Sequence, residues 1–195
     1  MRLTRIALAF GFVMGVAVLG CGGGSGSKYT GFVGILASCG YPACYLDLLL
    51  PCNPDGACVE QTTVMCGVSA CPTPPTTTPT AETINGCFAN GVKFLEEIDM
   101  SNLPTMTMTS TWKKDSTVCC TITGSNSTAA TTSTFTVKNA AGTTVATVVA
   151  DIPARTETIT CAGASPVVVS MACLNPDGGT SSGSGNSCTK GTCTF

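Results

Sequence analysis

From Ala81 to Cys173 the side chains alternate, with threonine or another small polar residue at one position and an apolar one at the next. "TMTMTSTW" (Thr105 to Trp112) shows the pattern most plainly. It continues through "TVCCTIT" (Thr117 to Thr123), "TSTFTVK" (Thr132 to Lys138), "TTVATVVA" (Thr143 to Ala150), "TETITC" (Thr156 to Cys161) and "PVVVSMAC" (Pro166 to Cys173). A period of two sends alternate side chains to opposite faces of a strand. The residues are largely β-branched, which suits a pleated surface. Turn chemistry separates the segments: "KKDS", "GSNS", "NAAG", "IPAR" and "AGAS". "KNAAGTTV" predicts a tight hairpin, and "NGVKFLEEI" (Asn90 to Ile98) predicts a seventh strand. Short strands at such spacing predict a mostly β domain over 81–173, an antiparallel β-sandwich or roll.

Elsewhere the alternation is absent. Arg2 and Arg5 precede an apolar run from Ile6 to Leu19, the layout of a secretory signal. The run is about 14 residues, short of the roughly 20 that span a bilayer as a helix. Residues 21–28, with "GGGSGSK" after Cys21, predict a flexible tether. Residues 29–71 hold Cys39, Cys44, Cys52, Cys58, Cys66 and Cys71, and "CGYPAC" and "CGVSAC" echo one another. "CYLDLLLP" (Cys44 to Pro51) predicts a short helix that stops before Pro51. "NPDG" within "CNPDGAC" is turn chemistry. A segment this short buries little core, so disulfides must hold it, and it is expected to form a small disulfide-rich module ahead of the β-domain. "PTPPTTTPT" (Pro72 to Thr80) predicts an extended spacer. The tail, 174–195, is rich in glycine and serine and ends in "CTKGTC", expected to close a small loop between Cys188 and Cys193. The expected division is therefore 1–20 signal, 21–28 tether, 29–71 module, 72–80 spacer, 81–173 β-domain and 174–195 tail.

Composition narrows the chemistry. The chain has 14 cysteines, no histidine and 10% charged residues. Cysteine at this density in an exported chain means disulfides. No pair has the C-x-x-C spacing of a thiol–disulfide enzyme or a zinc site, and no metal or cofactor is expected. The lack of histidine removes the commonest general base and rules out a Ser-His-Asp or Cys-His nucleophile. Carboxylates are scattered; "EEID" (Glu96 to Asp99) is the one cluster. Glu96 and Glu97 should face opposite sides of a strand, and the cluster is read as solvated surface. No enzyme is expected, and no catalytic residue is assigned. Net charge is −2, and loss of Arg2 and Arg5 with the signal takes it to about −4. Without a basic patch, nucleic acid is not an expected partner. Trp112, Tyr29, Tyr41 and Tyr45 are the candidate rings for a glycan or peptide to stack on, unless packing claims them.

"VLGC" (Val18 to Cys21) resembles the lipobox of bacterial lipoproteins. The resemblance implies cleavage before Cys21, acylation of Cys21 and attachment to the membrane. Gly22 in place of aspartate leans to the outer membrane. "STWKKDSTVCCTITG" followed by "TETITCAGA" resembles the immunoglobulin-like repeats of bacterial envelope proteins, with Trp112, Cys120, Gly124, Cys161 and Gly163 at matching positions. That likeness implies an immunoglobulin-like domain with a Cys120–Cys161 bridge; the extra Cys119 departs from the pattern. The whole layout loosely resembles lipoproteins of myxobacterial-type genomes, which implies no activity. If Cys21 carries lipid, an odd number of cysteines remains. The expectation is pairing of the six cysteines within 39–71, of Cys188 with Cys193, and of Cys87 with Cys173. Cys119 is left as a surface thiol, with a vicinal Cys119–Cys120 bridge as the rival. The functional expectation is an exported, lipid-anchored protein of the cell envelope with a structural or adhesive role. The alternative is an envelope-tethered binding module for a glycan or peptide, with an envelope protein or glycan as partner.

Overall fold

Residues 28–54, 58–66, 81–88, 90–127 and 129–173 are described by the computed structural model of the protein; for 58–66 and Asn85 this is the backbone alone. The signal, Cys21, the tether as far as residue 27, the 72–80 spacer, Cys71, Cys188 and Cys193 lie outside the described residues.

Two short helices come first. α1 spans Gly31–Ser38 and α2 spans Ala43–Leu49, followed by a 3-10 turn over Leu50–Cys52. Gly40 stops α1 at φ +88°, with its N–H donated to the Ala37 carbonyl and the Tyr41 N–H to that of Leu36. This is a Schellman stop, which needs a residue tolerant of positive φ. Pro42 then opens α2, so "CGYPAC" encodes the turn between the helices. The expected helix at "CYLDLLLP" is present, and its last residues tighten into the 3-10 turn that contains Pro51. Thr30 makes no side-chain cap on α1. Asn53 does that work from outside the helix: its Oδ1 accepts the Val33 N–H at 3.1 Å and its Nδ2 donates to the Thr30 carbonyl at 2.7 Å.

Nine strands follow: β1 Cys58–Cys66, β2 Ala81–Phe88, β3 Val92–Asp99, β4 Thr105–Lys114, β5 Thr117–Ser127, β6 Thr132–Asn139, β7 Thr144–Asp151, β8 Thr156–Cys161 and β9 Val167–Ser170. The chain is mostly antiparallel β, as its alternation predicts. Each strand pairs with its sequence neighbour, in the order β1 to β9. The connections use the predicted chemistry. In "NAAG", Asn139 Oδ1 accepts the N–H groups of Ala141 and Thr143, both at 3.0 Å, and Gly142 sits at φ +78°.

One face of the sheet is buried from β3 to β9. Val92, Phe94, Glu96 and Ile98 on β3 continue into Met106, Met108, Ser110 and Trp112 on β4. Ile122, Phe135, Val137, Ala146, Val148, Ile159 and Val169 carry the face on to β9. Val33, Leu36, Tyr45, Leu46 and Leu49 of the helices join the same core. α2 lies against β5 and β7, and the 3-10 turn lies against β4. The helices of the 29–71 segment therefore do not form a core apart from the β-domain, and β1 is an edge strand of the same sheet. A helix pair with few large side chains buries its apolar stripe best against a sheet that already has one apolar face.

Gly124 shows how tightly that face is filled. It stands opposite Phe135, and a Cβ there would run into the Phe135 ring and come within 2.9 Å of the Thr134 carbonyl oxygen. We expect Gly124→Ala to destabilise the protein by about 1–3 kcal/mol, the usual range for overpacking. Thermal unfolding of the variant beside wild type measures it, and an unchanged midpoint would contradict this account of the packing.

Candidate functional site

The candidate residues from the sequence divide sharply. Cys39 bonds Cys173, Cys44 bonds Cys161 and Cys52 bonds Cys119. Each bridge runs from the helical segment to the strands or the 3-10 turn after β9 (Met171–Cys173), so the expected pairing within 39–71 does not hold for these three cysteines. Cys161 does not meet Cys120, because α2 lies over β5 and β7 and brings Cys44 to it. Cys173 is taken by Cys39, which excludes Cys87–Cys173. Cys87 is disulfide-bonded to another residue. The side chains of Cys58 and Cys66 lie outside the described set.

Cys119 and Cys120 exchange the roles expected of them. In a regular strand neighbours face opposite sides, which would leave one exposed. Here Trp112 pairs with Cys120 and Lys113 pairs with Val118, so Cys119 is the extra residue of a β-bulge. A bulge sets two residues against one and lets both side chains turn the same way. Both are buried. Cys119 reaches Cys52, and among the described residues Cys120 is the free thiol. Burial pushes the Cys120 thiol up to about 12, so it stays protonated and inert in the folded protein.

The rings proposed as a ligand platform are core residues. Trp112 stacks on Phe94 with centroids 5.2 Å apart and on Phe88 at 6.1 Å, with 7% of its surface exposed. Tyr41 and Tyr45 are buried and lie 5.6 Å from one another. Tyr29 remains half-buried, donating to Asp47 at 3.0 Å with the Lys28 ammonium over its ring. None of Trp112, Tyr41 and Tyr45 is available to a sugar or peptide in this fold.

Two buried carboxyls are new. Tyr41 donates to Glu157 Oε2 at 2.7 Å, a buried polar strut between the helix turn and β8. Burial raises the Glu157 carboxyl and, more strongly, the Tyr41 and Tyr45 hydroxyls above their ordinary ranges. Glu96 is 2% exposed and faces Ser110 across β3 and β4, and both Glu96 Oε1 and Ser110 Oγ lack a hydrogen-bonding partner. Burial, with the Glu82 carboxylate nearby adding to it, pushes Glu96 up to about 7. The expected solvated cluster is thus half right: Glu97 faces water and Glu96 faces the core. Both buried carboxyls share strand parity with apolar neighbours, Glu96 with Phe94 and Ile98, and Glu157 with Ile159 and Cys161. That parity was the available signal.

Glu157 is committed to Tyr41, Glu96 has no nucleophile or second titrating group hydrogen-bonded to it, and Cys120 is held as a thiol. Among the described residues no group of His, Cys, Asp and Glu is placed to hold a metal, and no helix is long and apolar enough to cross a membrane. Comparison with family models, with curated proteins and with solved structures finds no match.

The disulfide map and the thiol are open to direct measurement. Unreduced peptides should link Cys39 to Cys173, Cys44 to Cys161 and Cys52 to Cys119, and Cys120 should be alkylated only after unfolding. Glu96 gives a pH dependence. Its folded pKa lies above the unfolded value, so the native state favours the protonated form, and stability falls as pH rises from about 4.5 through about 7. Glu96→Gln removes that loss. Its effect on stability should be more favourable at pH 8 than at pH 5 by about 2–3 kcal/mol, read from denaturant unfolding at the two pH values. An effect equal at both would show that the carboxyl does not titrate in this window.

Proposed function

We propose that the protein is an exported, lipid-anchored component of a bacterial cell envelope, held through Cys21 and acting as a non-catalytic structural or adhesive element. The observation that carries this reading is the set of bridges Cys39–Cys173, Cys44–Cys161 and Cys52–Cys119. Disulfides persist in oxidising compartments outside the cytosol. They close sequence separations of 134, 117 and 67 residues. Each such closure contributes roughly 4–5 kcal/mol by chain entropy alone, less where loops overlap. The fold draws heavily on chemistry that export makes possible.

Cysteine parity supports acylation. Cys120 is free, which leaves an odd number of the 14 cysteines. If all others pair, one more must be consumed in another way, and a lipid on Cys21 does that. The lipobox-like "VLGC" and the glycine–serine stretch after it are consistent with cleavage and tethering, and Gly22 favours the outer membrane. Several acyl chains would hold the protein there stably, since one chain alone binds marginally. The non-catalytic role is supported by the lack of histidine and by carboxyls engaged in the core.

The test is Cys21→Ser followed by cell fractionation. Wild type should partition with membranes and label with a radiolabelled or clickable fatty acid. The variant should lose the label and leave the membrane fraction. A variant that stays membrane-bound, or a wild type that never takes up the label, sinks the proposal.

A further inference from the structure

The face of the sheet turned away from the core is paved with threonine in register. On β4 to β8 the central cross-strand row is Thr109, Thr123, Thr136, Thr147 and Thr160. One flanking row is Thr107, Ser125, Thr134, Val149 and Thr158. The other is Thr111, Thr121, Lys138 and Thr144. None of these residues is buried. Their hydroxyls make no hydrogen bond among the described residues.

β-propensity alone accounts for threonine in exposed strands. It does not account for the near-absence of charge. An exposed protein surface ordinarily mixes lysine, arginine, glutamate and aspartate. Here Lys138 is the sole charge in the three rows, and Glu97, Asp99, Lys113 and Asp151 stand at their borders. What remains is a neutral grid in which most points offer one methyl and one hydroxyl. Strand geometry spaces the points about 4.8 Å across the sheet and roughly 6.7 Å along each strand.

A partner that uses such a grid must itself be neutral, must repeat in two dimensions and must both donate and accept hydrogen bonds. We propose that the outer face of β4 to β8 binds the surface of ice. Water molecules at an ice surface repeat in two directions at spacings of the same order, and they supply both donors and acceptors. The methyl groups would sit in the hollows of the lattice while the hydroxyls replace water ligands at its surface. A crystalline polysaccharide fits less well, because sugar rings seat on aromatic faces and these rows carry none. Trp112, Phe94 and Phe135 all point into the core. A second copy of the same face also fits less well, since it would bury many hydroxyls whose partners are not arranged to satisfy them. Sheet twist limits the match to a patch, which places the most important contacts at the centre of the grid. The inference does not depend on whether Cys21 carries lipid.

The experiment follows the full chain, disulfides formed, during slow growth of a single ice crystal, and measures its partition between ice and liquid. Inhibition of ice recrystallisation is measured in parallel. Wild type should enter the ice and keep its grains small. Thr123→Lys and Thr136→Lys put a charge at the centre of the grid, and each should lower the partition by about tenfold or more, as a desolvated charge weakens a contact. Lys114→Ala, exposed and outside the rows, should behave as wild type. Far-UV spectra and protection of Cys120 from alkylation check that the lysine variants stay folded; should either unfold, Thr136→Ser, which drops only the methyl, takes its place and should also lower the partition. The proposal is overturned if wild type stays in the liquid like a reference protein of equal size. It is equally overturned if the folded central variants partition unchanged, or if wild type ignores ice but forms dimers that the lysines dissolve or adheres to insoluble polysaccharide.

Discussion

The helices and the sheet are bound together covalently, and much of the architecture follows from that. α1 is only eight residues long and α2 seven, and neither has a side-chain cap of its own. Helices of that length are marginal in water. They persist because Cys39, Cys44 and Cys52 tie them at three places to the strands and to the turn after β9, and because Tyr45, Leu46 and Leu49 then have an apolar face to pack on. The benefit is mutual. A one-sided sheet needs a cover for its buried face, and the bridged helices supply part of it. Asn53 extends the same logic to polar groups. It satisfies the start of α1 while its own carbonyl accepts from Asn90 Nδ2 at 2.7 Å, linking the helix start to the turn before β3.

The interior tolerates carboxyls on unequal terms. Glu157 has a phenol to bond with, so its burial is partly offset, and the pair joins two elements far apart in sequence. Glu96 has apolar neighbours, an unpartnered serine and the Glu82 carboxylate nearby. A buried polar group without a partner costs free energy that an apolar residue would not. Protonation relieves that cost, so the β2–β4 region carries a dependence on pH.

Strands β3 to β9 were legible because alternation of threonine with apolar residues is a local signal, and the turn residues between them act locally too. β1 and β2 were not, because "CVEQTTVMC" and "AETINGCF" lie among cysteines and beside a proline-rich stretch that draws attention to disulfides and linkers. α1 was missed for a related reason: "GFVGILAS" contains two glycines, and its cap comes from Asn53, 20 residues from Val33. The cysteine pairs were illegible in principle. Each depends on which distant segment covers the sheet, and the choice between Cys119 and Cys120 turned on a single-residue bulge that no spacing rule reveals. The buried carboxyls stood between these cases. Their parity was readable, but charge suggested solvent more strongly than register suggested core.

The Cys39–Cys173 bridge has a mechanical consequence. A load that enters the chain before Cys39 and leaves after Cys173 passes through one covalent link, and the segment between them is shunted out of the load path. With a separation of 134 residues, an unbridged chain could be drawn out by some hundreds of ångströms at about 3.5 Å per residue. With the bridge closed that length is locked, and the hydrogen-bonded strands inside the loop carry none of the pull. Under tension applied along this route the protein behaves as a short, nearly inextensible link. Cys44–Cys161 and Cys52–Cys119 are nested inside the outer bridge, so it becomes a long, yielding one only when all three are reduced.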